Sequence, residues 1–149
     1  MTLLAVIIPG DPVAKGRPRA FTAVGGHTRM YTPKPTVRWE SHAAFMMANA
    51  AQHRGYEGPV RVVVDACKSR PKSGGYPARK MDPDGECWRT KKPDADNVFK
   101  AVADALEKSG VIVNDKQIAE IRVRSLWASR GKPGSVSVMV EDLMVEGAP

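Results

Sequence analysis

The chain of 149 residues is poor in soft metal ligands, with two cysteines (Cys67, Cys87) and three histidines (His27, His42, His53). They fall into no paired motif, so neither a zinc site nor a disulfide framework is expected, and both thiols are read as reduced. No apolar run approaches the roughly 20 residues of a membrane helix. The opening MTLLAVIIPG is too short, and too poor in basic residues, for a signal peptide. A cytoplasmic location is the expectation. Acidic residues are missing altogether from Pro12 to Trp39, a Gly- and Pro-rich stretch that carries Lys15, Arg17, Arg19, Arg29, Lys34 and Arg38.

What is present suits one globular domain: 42% hydrophobic and 26% charged residues, with a formal net charge of +7. The surplus is clustered. After the basic loop, a second group (Lys68, Arg70, Lys72, Arg79, Lys80, Arg89, Lys91, Lys92) leads into an acidic motif, and Arg122, Arg124, Arg130 and Lys132 follow it. Such a footprint points to a polyanion, with phosphate backbone the natural partner, although basic surfaces also serve solubility alone.

Periodicity outlines the elements. Leu3 to Ile8, closed by Pro9-Gly10, reads as a buried strand, and Trp39, Ala43, Met46, Met47 and Ala50 mark an amphipathic helix from Thr36 to about His53. Val60, Val62, Val64 and Ala66 alternate as a strand. Residues 69–92 lose all periodicity and read as a long basic flexible loop, functional or disordered. A second helix runs from near Asp94 to about Lys108 with Ser109-Gly110 as its stop, and Val111–Val113 reads as a short strand. Gln117–Trp127 and Val136–Val140 alternate as strands, paired as a hairpin across Gly131, Pro133 and Gly134. The expected class is α/β, a single domain over 1–149 with a mixed β-sheet packed with two main helices.

The chemistry gathers between positions 91 and 115. At 3.6 residues per turn, Val98, Ala101, Val102 and Ala105 form a buried stripe, while Asp96, Lys100 and Asp104 line the opposite face. Asp94 stands where an N-cap belongs. An Asp cap with Asp–Lys pairs four apart is also an ordinary way to stabilise a surface helix. Chain length bears on the choice. From Asp96 the helix rises roughly 21 Å to Gly110, and five extended residues return roughly 17 Å, which brings Asp115 back toward Asp94. Three convergent carboxylates would repel one another, and they are the hard oxygen donors that Mg²⁺ prefers. Such an ion polarises a phosphate and activates water.

KPDADNVFKAVADAL (92–106) followed by GVIVNDKQI (110–118) resembles the signature of the RusA family of Holliday junction resolvases: D-x-D-N-x-x-K-x-x-x-D-A-L with a downstream acidic pair before a Gln. IPGDPVAKGRPR (8–19) and YTPKPT (31–36) also resemble forms seen in phage-type members. The resemblance implies an endodeoxyribonuclease that nicks four-way junctions in recombination and repair. It also implies Asp94, Asp96 and Asp115 as metal-binding catalytic carboxylates, with Lys100 as the basic residue that assists at the phosphate. Asn97 and Asp104 match as supporting positions, Asp104 fixing Lys100 by a salt bridge. Mg²⁺ is the implied cofactor, Mn²⁺ a possible substitute, with no nucleotide cofactor and no membrane. The implied setting is a bacterial or phage-infected cell, close to its nucleoid. The implied assembly is a homodimer, whose two-fold axis suits a junction with two equivalent strands to cut.

Where many members carry two adjacent acids, this chain has Asn114-Asp115, so the negative charge there rests on Asp115. DNA contacts are expected from Lys15, Arg17, Arg19, Arg29, Lys34, Lys91 and Lys92, reading phosphates and shape more than base edges. Tyr31 or Trp88 offers a ring for stacking, though such residues more often pack. Two rival readings are a DNA-binding protein without cleavage and a metal-dependent nuclease acting on flaps, forks or RNA.

Overall fold

The computed structural model describes residues 1–16, 19–22 and 24–144. Five strands form one mixed sheet in the order β1-β7-β4-β6-β5: β1 (Thr2–Pro9), β4 (Val60–Lys68), β5 (Cys87–Trp88), β6 (Ile118–Trp127) and β7 (Ser135–Asp142). A separate hairpin joins β2 (Arg19–Thr22) to β3 (Thr28–Tyr31), inside the segment that sequence alone reads as a basic loop. Helix α1 spans Lys34–Ala50 and α2 spans Ala95–Ser109.

Local chemistry sets these limits. Pro35 fits the first turn of α1 because no N–H is needed there. Gly110 ends α2 in the left-handed region at φ 78°, where its N–H returns to the Glu107 carbonyl. In the sheet, register places Leu4, Val140 and Val62 in one row and Val6, Val138 and Val64 in the next. These rows join Trp39, Ala43 and Met47 of α1 and Val98, Ala101, Val102 and Ala105 of α2 in one core. Each fully buried aliphatic side chain contributes about 1.5–3 kcal/mol, so the sheet-to-helix face holds the domain together.

The opposite sheet face is a ladder of charge. Arg61 reaches Glu120 at 2.9 Å and Glu141 at 3.2 Å, and Arg124 reaches Asp65 at 2.7 Å. Hydrogen bonds from Arg61 and Arg122 hold the Glu120 carboxyl below its ordinary pKa, against the effect of desolvation.

Two expectations need correction. Residues 111–113 form no strand, only a bridge between Ile112 and Tyr56, because the chain must turn at once to start β6. And β7 is no hairpin partner of β6. It lies antiparallel between β1 and β4, while β6 runs parallel to β4 with α2 in the crossover. A two-residue period identifies a strand but not its neighbours. The β6–β7 link is long enough to carry the chain past β4. Between β4 and β5, two arginines organise residues 69–86. Arg70 donates to the carbonyls of Ala128, Pro77 and Gly85, and Arg130 donates to those of Arg79 and Asp82 and to the Asp84 carboxylate.

Candidate active site

Asp94 does stand at the N-cap of α2, in extended conformation, but its side chain makes no capping hydrogen bond. Its carbonyl, not its carboxylate, starts the helix by accepting from Val98 N at 3.0 Å. What fixes the approach to Asp94 is Arg89. This guanidinium is 5% exposed, donates to the carbonyls of Lys91, Pro93 and Leu126, and lies 6.0 Å from the Trp127 ring centre. Burial lowers its pKa, while Cys67, once ionised, and the carboxylates of Asp11 and Asp94 act in the opposite direction. Sequence reasoning put Arg89 in a general basic cluster. Nothing in the residue pattern separates a buried arginine bound to carbonyls from an exposed one.

Asp115 opens a single 3-10 turn, Asp115–Gln117, held by a capping box. The Asn114 side-chain oxygen accepts from Lys116 N at 2.9 Å, and the Gln117 Oε1 accepts from Val113 N and Asn114 N at 2.8 Å each. Gln117 also donates through Nε2 to the carbonyls of Tyr56 and Gly58 at 2.7 and 2.9 Å. Asn114 thus serves the turn, and the glutamine of the motif anchors it. An acid at 114 could accept the same bond, so the amide costs the turn nothing.

Lys15 has an internal role. Its Nζ lies 2.9 Å from Glu40 of α1 and 2.8 Å from Asp104 of α2, and its backbone N–H donates to the Asn97 carbonyl at 2.9 Å. Burial alone would lower its pKa. Bonds to Asp104 and Glu40 outweigh that and raise it above 10.5. The expected salt bridge from Asp104 to Lys100 is therefore corrected: Asp104 pairs with Lys15, because the segment before β2 docks across both helices. Asp11 helps to hold that segment, accepting from Ser69 N and Oγ at 2.8 and 2.9 Å. It lies so close to Gly134 that a side chain there would collide with its backbone.

The structure thus brings Lys100 and Asp115 to one cleft, lined also by Lys15, Phe99, Asp104, Ile118 and Ile121. Asp94 and Asn97 line another, with Lys68, Lys92 and Pro93. Asp96 is exposed on the first turn of α2. The expected convergence of Asp94, Asp96 and Asp115 is therefore corrected: Asp94 and Asp115 line separate clefts, and among the described residues no three carboxylate, imidazole or thiol groups stand close enough to hold a metal ion by themselves. Yet the donor set fits a hard cation. Asp94, Asp96 and Asp115 are exposed and engaged in no side-chain hydrogen bond or ion pair among the described residues, which leaves their oxygens for an ion that keeps waters and borrows phosphate oxygens. Arg29, Lys34, Lys91 and Lys92 are exposed without an ion-pair partner among the described residues. Arg17 lies outside the described residues, and Arg19 opens β2.

A family model for the endodeoxyribonuclease RusA matches residues 9–141, which takes in the whole acidic motif, both helices and the sheet apart from β1. The chain belongs to the RusA family. A RusA-family fold accounts for the order of elements, with β4 and β6 joined through α2 so that the motif helix leaves and returns to one side of the sheet. The uncharacterized protein YqaN of Bacillus subtilis (strain 168) is 29% identical over 148 residues, covering 96% of this chain and 99% of that protein. No helix among the described residues is long and apolar enough to cross a membrane.

Proposed function

We propose that this RusA-family protein is a magnesium-dependent endonuclease that resolves four-way DNA junctions by paired nicking, in recombination and repair. The observation that carries the reading is the idleness of the acids: on a chain of net charge +7, the carboxylates of Asp94, Asp96 and Asp115 make no hydrogen bond or ion pair among the described residues. A merely decorated helix would show the Asp94 cap and the Asp–Lys pairs formed. Neither is.

Mg²⁺ held by Asp94, Asp96 and Asp115, or Mn²⁺ in its place, would supply Lewis-acid activation of a water and of the scissile phosphate. Lys100, in one cleft with Asp115 and without an ion pair among the described residues, stabilises negative charge that develops on the phosphate or the leaving oxygen. Asn97 and Asp104 act from behind, through the Lys15 tie that fixes the flank of α2. Arg29, Lys34, Lys91 and Lys92 contact backbone phosphates. The working form is a homodimer, because two equivalent strands are best served by two sites about a two-fold axis.

The test mixes purified protein with labelled four-way junctions, forks, duplex and RNA, in Mg²⁺ or in chelator, beside an Asp96→Asn variant. Symmetric cleavage of the junction, abolished by chelator and by the substitution while binding persists, is the expected result. Binding with no cleavage of any substrate would sink the reading.

A further inference from the structure

Strand β5 is two residues long. It pairs with Trp127 and Leu126 of β6, and Arg89 N adds one bond to the Ser125 carbonyl, so among the described residues the edge of β6 before Ser125 carries no strand. Along this edge runs a cleft of about 380 Å³, walled by Trp88, Lys91, Asp94, Arg124 and, from behind, Arg89 and Ser125.

Three observations meet there. First, Trp88 is 65% exposed, whereas Trp39 and Trp127 are 8% and 4% exposed, so one indole of the three stands in water. Second, two of the wall residues hold buried polar atoms that lack a protein partner, Arg89 Nη2 and Ser125 Oγ. Buried groups of this kind are seldom left unmatched, and one is a donor while the other can donate or accept. Third, the rim is cationic and oriented: Asp65 grips the Arg124 guanidinium through two bonds of 2.7 Å, and Lys91 is exposed. An aromatic platform beside a basic rim is the combination that holds an unpaired base.

We propose that this cleft receives one unpaired nucleobase, stacked on Trp88, next to the phosphate that the Asp94 group cuts. The inference rests on the nuclease reading above and adds a ligand to it. An indole face can stack on a base only where that base has left its own stack, and strands are free to do so where duplex pairing is interrupted. Occupation of the cleft would hold the adjoining phosphate beside Asp94 and make cleavage favour distorted DNA over continuous duplex.

Two measurements test this on the full chain. In chelator, where nothing is cut, acrylamide quenching reports chiefly on Trp88, since the other two indoles are buried. A short single strand should shield that emission, a blunt duplex should not, and a Trp88→Phe variant should lack the quenchable component. In cleavage assays on junctions, Trp88→Ala should lose about tenfold in rate and Trp88→Phe no more than about threefold, as expected for one stacked base. Removing bases one at a time near the cut should find a position that slows the wild type by a similar factor yet leaves Trp88→Ala unchanged. The proposal is overturned if Trp88→Ala matches the wild type, if no single missing base matters, or if Trp88→Ala alters only the oligomeric state. Should no junction be cleaved at all, the nuclease reading fails. The quenching result then decides alone: shielding by single strand upholds the base site, and its absence ends it.

Discussion

At Asp96 and Asp115 the carboxylates make no hydrogen bond or ion pair among the described residues, so replacement by asparagine removes charge without removing such a contact. Asp96→Asn and Asp115→Asn should each melt within about 2 °C of the wild type, as exposed substitutions do, and lose at least about 100-fold in cleavage. Calorimetry and gel assays check the two halves. Gln117 should behave in the opposite way. Its amide joins four backbone groups around the turn, and Gln117→Ala strands several of them, at a cost of about 1–3 kcal/mol, or roughly 3–10 °C in melting temperature. Cleavage should fall with it, since Asp115 opens that turn. At this scale the sequence placed Asp96 and Lys100 on one exposed flank of α2 and Asp94 at its start, because spacing along a helix is a linear property, but it did not foresee that Asp94 and Asp115 line separate clefts. It was silent on Arg89, and it assigned Lys15 to DNA, because ion pairs between distant segments leave no local pattern.

Lys15 joins the segment before β2 to both helices, and its pairing with Glu40, itself 4% exposed, makes that junction depend on pH. The folded pKa is raised above 10.5, so the contribution is present in full below that value and is lost as pH climbs through the raised one. Denaturant titrations of wild type and Lys15→Met should therefore differ by a constant amount at neutral pH and converge in alkali. A Lys15→Met protein equal to the wild type at neutral pH would contradict the assignment. Both helices and β4 were legible from apolar periodicity. The β2–β3 hairpin was not, because an exposed ribbon without a buried face shows no alternation. Residues 69–86 were opaque for another reason. Arg70 and Arg130 donate there largely to backbone carbonyls, acceptors that every residue carries alike.

At the scale of the whole molecule, the proposed function gives backbone phosphates to Arg29, Lys34, Lys91 and Lys92, exposed cations without an ion-pair partner among the described residues. Four phosphate contacts imply a logarithmic salt slope near −3.6, so a fourfold rise in salt should weaken junction binding roughly 100-fold. Fluorescence anisotropy across a salt series measures it, and reversing Lys91 and Lys92 to glutamate should flatten the slope. The α/β class was legible at this scale from the order of elements, but strand neighbours were not, since register and pairing depend on which apolar faces meet.

The place of β7 bears on how the nuclease comes into being. A chain leaving the ribosome extrudes β1 first, yet among the described strands β7 alone pairs with β1, and it is the last to emerge. Strand β4 likewise waits for both of its neighbours, β6 and β7. A nascent or prematurely broken chain can therefore carry Asp94 through Asp115 in full and still have no finished sheet to array them on. Cutting power arrives only with the final strand, so unfinished copies would leave the genome that encodes them untouched.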